Sequence, residues 1–129
     1  MKYYYNKTIA GNFDQVIEKV TEELKKEGFG VLTEIDFSGI IKKKLDKDMP
    51  AYRILGACNP GFAYKSYQQE DKIGTMLPCN VIVQDAGNGN VEVSAVNPIA
   101  SMMGVENDGL AEIAGEVKIK LEKVIDALQ

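Results

Sequence analysis

The chain has 129 residues, 45% of them apolar and 26% charged, which suffices for one ordinary domain core and makes disorder or disulfide dependence unnecessary. Its 15 Lys and Arg against 19 Asp and Glu give a net charge of −4, and Arg53 is the single arginine, so a phosphate backbone is a poor partner and an arginine cluster reading bases is excluded. There is no histidine, which removes Ser-His-Asp and Cys-His catalysis, imidazole general bases and zinc sites built on imidazole.

Tyr3 to Ile9 is aromatic and β-prone and reads as a first strand. Asn12 caps a helix with Gln15 three residues on, and Phe13, Val16, Ile17, Val20 and Leu24 recur on one helical face. Gly28 closes that helix in the left-handed conformation. Phe29 to Ile35 is a second strand. Asp36 or Ser38 then starts a short helix, with Ile40, Ile41 and Leu45 expected inward and Lys42, Lys43 and Lys44 on a solvated face.

Tyr52 to Cys58 is a third strand. Asn59-Pro60 follows, an N-cap asparagine before a first-turn proline, and opens a helix to about Glu70. Leu77 to Gln84 and Val91 to Val96 are the fourth and fifth strands, with Asn88-Gly89 the hairpin turn between them. Asn97-Pro98 repeats the helix-start signature and opens a short helix carrying Met102 and Met103, ended by Gly104. Asn107 or Asp108 caps the last helix. Its apolar stripe is Leu110, Ile113, Ala114, Val117, Leu121, Val124, Ile125 and Leu128, with Glu116 and Lys120 an expected i,i+4 pair.

This order predicts an α+β domain over residues 1–129. The sheet is mixed and largely antiparallel, five-stranded, with the helices on one face. The layout is β-α-β4-α, TBP-like or helix-grip-like, with short helical insertions. The N-terminal residues show no apolar signal-peptide run, and no segment approaches the roughly eighteen apolar residues of a membrane span, so cytoplasm is the expected compartment and neither membrane nor nucleic acid is an expected partner.

Cys58 ends the third strand and Cys79 opens the fourth. If those strands are antiparallel neighbours, the two cysteines and the Asn97-Pro98 turn meet at one rim of the sheet. Helix N-termini there expose N–H groups that bind anions or favour a thiolate, most directly for Cys58. The candidate ligand-binding residues are therefore Cys58, Asn59, Cys79, Asn80 and Asn97. Cys58, Cys79 and Met102 form a secondary possibility for a soft metal such as Cu(I). No cofactor is indicated.

Four ordered stretches carry a family resemblance: Gly28-Phe29-Gly30-Val31-Leu32-Thr33-Glu34-Ile35, Tyr52-Arg53-Ile54-Leu55-Gly56-Ala57-Cys58-Asn59-Pro60, Leu77-Pro78-Cys79-Asn80-Val81-Ile82-Val83, and Asn97-Pro98 through Met102-Met103. Together they resemble the domain-of-unknown-function 302 family of bacteria and archaea, which implies a small α+β domain and no particular activity. Where the family pattern usually has Asp-Pro, this chain has Asn97-Pro98, which caps equally well without a charge.

Three functions follow from these features. The first is a binding module with a rim pocket for a small anionic or thiol-reactive ligand, or a soft metal. The second is a dimeric interaction or structural protein in which the cysteines only pack. The third is a thiol-dependent enzyme whose base would be a carboxylate, Tyr or Lys. The tyrosine-rich first strand and the Met102-Met103 pair point to a homodimer.

Overall fold

A computed structural model describes residues 2–129. In chain order the elements are β1 (Tyr4–Ala10), α1 (Phe13–Lys26), β2 (Gly30–Asp36), α2 (Phe37–Leu45), β3 (Tyr52–Cys58), α3 (Pro60–Gln69), a 3-10 turn (Ile73–Met76), β4 (Cys79–Gly87), β5 (Asn90–Val96), α4 (Pro98–Ser101) and α5 (Asp108–Ala127). The five strands form one sheet in the order β1-β5-β4-β3-β2, and every neighbouring pair is antiparallel. The fold is α+β with an antiparallel sheet. β1 and β2 run in the same direction, as a β-α-β step requires, but α1 carries the chain from one edge of the sheet to the other. Three strands therefore separate them and no parallel pair forms.

Local chemistry sets the ends of these elements. Asn12 Oδ1 accepts the Gln15 N–H at 3.1 Å and starts α1. At the other end Gly28 has φ +85°, its N–H donates to Lys25 O, and the Phe29 N–H donates to Leu24 O, the two bonds of a Schellman cap. Asn88 (φ 57°) and Gly89 (φ +78°) both hold the left-handed conformation that a two-residue hairpin turn needs to follow the strand twist. β4 begins at Cys79 rather than Leu77, because the 3-10 turn runs to Met76 and Pro78 has no N–H to give a ladder.

One face of the sheet is covered by α1 and α5. Val16, Val20 and Leu24 of α1 meet Leu121, Val124 and Ile125 of α5 over Leu55, Val81, Val83, Val91 and Val93, all essentially buried. Each such side chain contributes roughly 1.5–3 kcal/mol of transfer free energy. The ion pair on α5 is Lys118–Glu122 at 2.7 Å instead of Glu116 with Lys120.

α2 departs from expectation. Asp36, not Ser38, caps it, and Ser38 Oγ instead accepts the Tyr52 N–H at 3.0 Å. Ile40 and Leu45 do not point inward; they are 39% and 61% exposed. The helix follows an edge strand and touches the body chiefly where the Phe37 ring meets Tyr52, so there is no second layer in which to bury its apolar side. Among the described residues, no helix is long and apolar enough to cross a membrane.

Candidate functional site

The β3–β4 register pairs Ala57 with Cys79, so Cys58, the last residue of β3, lies one step along from the partner of Cys79, the first residue of β4. The β4–β5 register pairs Val81 with Ala95 and, continued by two residues, sets Asn97 opposite Cys79. The ends of three strands and the starts of α3 and α4 therefore gather at one rim.

A cavity of ≈ 320 Å³ opens at this rim. Its sheet side is Ala57, Cys58 and Cys79. α3 contributes Phe62, Ala63 and Ser66, α5 contributes Ile113, Ala114 and Val117, and the α4 end contributes Pro98 and Met102. Phe29 and Leu32 close the β2 side. Leu32 is the extra residue where the β2–β3 register shifts between Val31 and Thr33, a bulge that leaves it 68% exposed at the cavity edge.

The wall carries no charged side chain. Two of its polar side chains, Ser66 and Asn59, are already engaged. Ser66 Oγ donates to Phe62 O at 2.8 Å, and Asn59 Nδ2 donates to Glu27 O at 3.3 Å. The two thiols form no disulfide. Burial, and secondarily the neighbouring Cys58, push the Cys79 thiol up to about 11. It is therefore held in the protonated form at neutral pH.

The five residues singled out from sequence separate into two groups. Cys58, Asn59 and Cys79 share the cavity wall, with Met102. Asn59 occupies the N-cap position of α3, but its side chain makes no cap bond; the amide ties the α3 start to the end of α1. Asn97 lies off the cavity wall. Its Oδ1 accepts the Ile99 N–H at 3.1 Å and its Nδ2 donates to Lys2 O at 3.1 Å, so the side chain is committed to structure. Asn80 does not join the cysteines: strand alternation turns it to the opposite face, into a shallow groove with Tyr52, Ile82 and Gln84. Among the described residues, no cluster of three or more Cys, Asp or Glu is placed to hold a metal ion.

Sequence reasoning missed Leu32, Phe62, Ala63 and Ser66, and assigned Ile113, Ala114 and Val117 wholly to the core stripe. Phe62, Ala63 and Ser66 are spaced on one face of α3, which is the signal that could have revealed them. Nothing local marks the bulge at Leu32.

The family model described as "Domain of unknown function DUF302" matches residues 5–128. The crystal structure of an uncharacterized conserved DUF302 protein from Bacillus stearothermophilus superposes with a TM-score of 0.92, at 26% identity, over 100% of both chains. No curated protein matches. With the family model covering nearly its whole length and this fold shared end to end, the chain belongs to the DUF302 family.

Proposed function

We propose that this protein is a binding module whose rim cavity takes a small, uncharged, largely apolar molecule, lying against Cys58 and Cys79. The observation that carries this reading is the ≈ 320 Å³ cavity with no charged side chain on its wall. Ligand sites of about 300–1,000 Å³ are typically apolar with a few polar groups. An anionic ligand finds no cation here, and the committed amides of Asn59 and Asn97 have little to offer it. Burial holds Cys79 as a thiol at neutral pH, which makes it a poor nucleophile. With no histidine in the chain, no general base stands ready on this wall. Binding is therefore favoured over catalysis, and an apolar ligand over an anionic one.

The test uses the neutral probe N-phenyl-1-naphthylamine, whose fluorescence rises in apolar surroundings. Saturable enhancement with the wild type, lost in Ala63→Phe, is the expected result. Leu32→Trp, at an exposed wall position, narrows the mouth without touching the core and should weaken binding as well. Absence of saturable binding, or binding unchanged in both folded variants, overturns the reading.

A further inference from the structure

Helices α1 and α5 cover one face of the sheet; the other is met by α2 at Tyr52, through the Phe37 ring, and is otherwise open over most of its extent. Strand register places Tyr4, Asn6 and Thr8 of β1, Glu92, Ser94 and Val96 of β5, and Asn80, Ile82 and Gln84 of β4 on that second face. Tyr52 and Ile54 of β3 and Thr33 and Ile35 of β2 complete it.

An uncovered face of an antiparallel sheet ordinarily alternates to solvent-facing polar and charged side chains. Here Glu92 is the only charged side chain at these strand positions among the described residues, in a chain that is 26% charged. Even Glu92 is engaged, accepting from Asn6 Nδ2 at 2.6 Å. Depletion of charge with enrichment of tyrosine is the composition of an interface core.

The relief of the face fits a copy of itself. A groove of ≈ 490 Å³ runs between Tyr3 and Tyr4 on one side and Tyr52 on the other, over the small side chain of Ser94. Tyr3 stands beside it, 70% exposed, with its ring edge-on to Tyr4 at 5.0 Å. A projecting aromatic next to a groove on the same patch is what a two-fold, isologous contact uses: each copy's knob enters the other's groove. The Lys2 ammonium, 4.7 Å from the Tyr4 ring, is too little charge to match a strongly charged partner.

The size agrees. Five strands about 4.8 Å apart, each about 23 Å long, project roughly 550 Å², and side-chain relief brings the accessible area toward the roughly 800 Å² that each partner gives a standard interface. We infer that the open sheet face, centred on Ser94 and Ile82, is the interface of a homodimer formed face to face about a two-fold axis.

Light scattering after gel filtration tests this at about 50 µM, above the micromolar range expected for the weakest interfaces of this size. The expected mass is twice the 14.2 kDa of one chain. Tyr3→Asp and Gln84→Lys, both at positions outside the core, should each weaken the dimer at least tenfold while the circular dichroism spectrum is retained. Tyr3→Phe should leave it intact. A wild-type monomer overturns the inference, and so does a dimer untouched by both charged variants. Naphthylamine binding in the rim cavity is read separately and is expected unchanged in Tyr3→Asp, so failure of one proposal does not imply failure of the other.

Discussion

Cys79 offers the sharpest quantitative expectation. Its thiol is pushed from an ordinary 9.0 to about 11, first by burial and then by Cys58. In a Cys58→Ser variant the larger cause, burial, remains. At pH 7 a group at about 11 is roughly 0.01% thiolate against about 1% for a group at 9.0, so iodoacetamide should modify Cys79 about 100-fold more slowly than an unperturbed thiol. The same displacement has a stability consequence. The folded value lies above the unfolded one, so the contribution is fully present below pH 9 and is lost as pH rises from 9 through about 11. Two units correspond to about 2–3 kcal/mol as an upper bound. Tyrosines and lysines also titrate in this window, but they do so equally in Cys58→Ser and in Cys58→Ser/Cys79→Ala. The difference between the two urea curves, followed from pH 8 to about pH 11, isolates Cys79. A labelling midpoint near pH 9, or identical pH slopes in the two variants, would refute burial as the dominant influence on this thiol.

Two further perturbations probe the supports of the site. Gly28→Ala places a Cβ at φ +85°, 3.0 Å from Asn59 Nδ2, so both the α1 cap and the tie to the α3 start are disturbed. The left-handed conformation alone costs about 1–2 kcal/mol, and urea unfolding should show at least about 1. Asn97→Asp keeps the acceptor for the Ile99 N–H but loses the donor to Lys2 O, setting a carboxylate against a carbonyl at a position only 8% exposed. The expected cost at pH 7 is about 1–3 kcal/mol. Burial beside the Lys2 carbonyl raises the Asp above its ordinary value, so the deficit should narrow as pH falls toward about 4 and be gone below it, where a protonated Asp regains a donor. A deficit that does not change on acidification would show that the Lys2 bond contributes nothing.

Much of the frame was legible because it rests on local chemistry. The Asn12 cap, the left-handed Gly28 and the Asn88-Gly89 turn each follow from what one or two residues can do with their own backbone. The strand order was not legible. Nothing in β1 or β2 states that α1 spans the whole sheet and leaves them at opposite edges. The exposure of Ile40 and Leu45 was hidden for a similar reason: helical periodicity says that one side is apolar, not that a second layer exists to receive it.

The candidate site divides along the same line. Pairing of Ala57 with Cys79 follows from two antiparallel strands whose adjoining ends carry the cysteines. Strand alternation, applied from Cys79, would also have turned Asn80 to the opposite face. The apolar character of the cavity has a different origin. Val117 is buried beneath the sheet in the shared core, whereas Ile113, one turn earlier on α5, is only partly buried against it, and both reach the cavity wall. The α5 stripe keeps its helical period without a break as it passes from the strands to the rim, so sequence cannot mark where packing ends and lining begins. That boundary is set by the length of the strands: β3 stops at Cys58 and β4 starts at Cys79, and α5 continues past both. The helix residues that overhang this end, with Phe62 and Ala63 of α3 facing them, leave a space walled by core-type side chains. Under the binding reading proposed above, a wall built in this way would select its ligand by shape and apolarity, with the two thiols as its distinctive chemical feature.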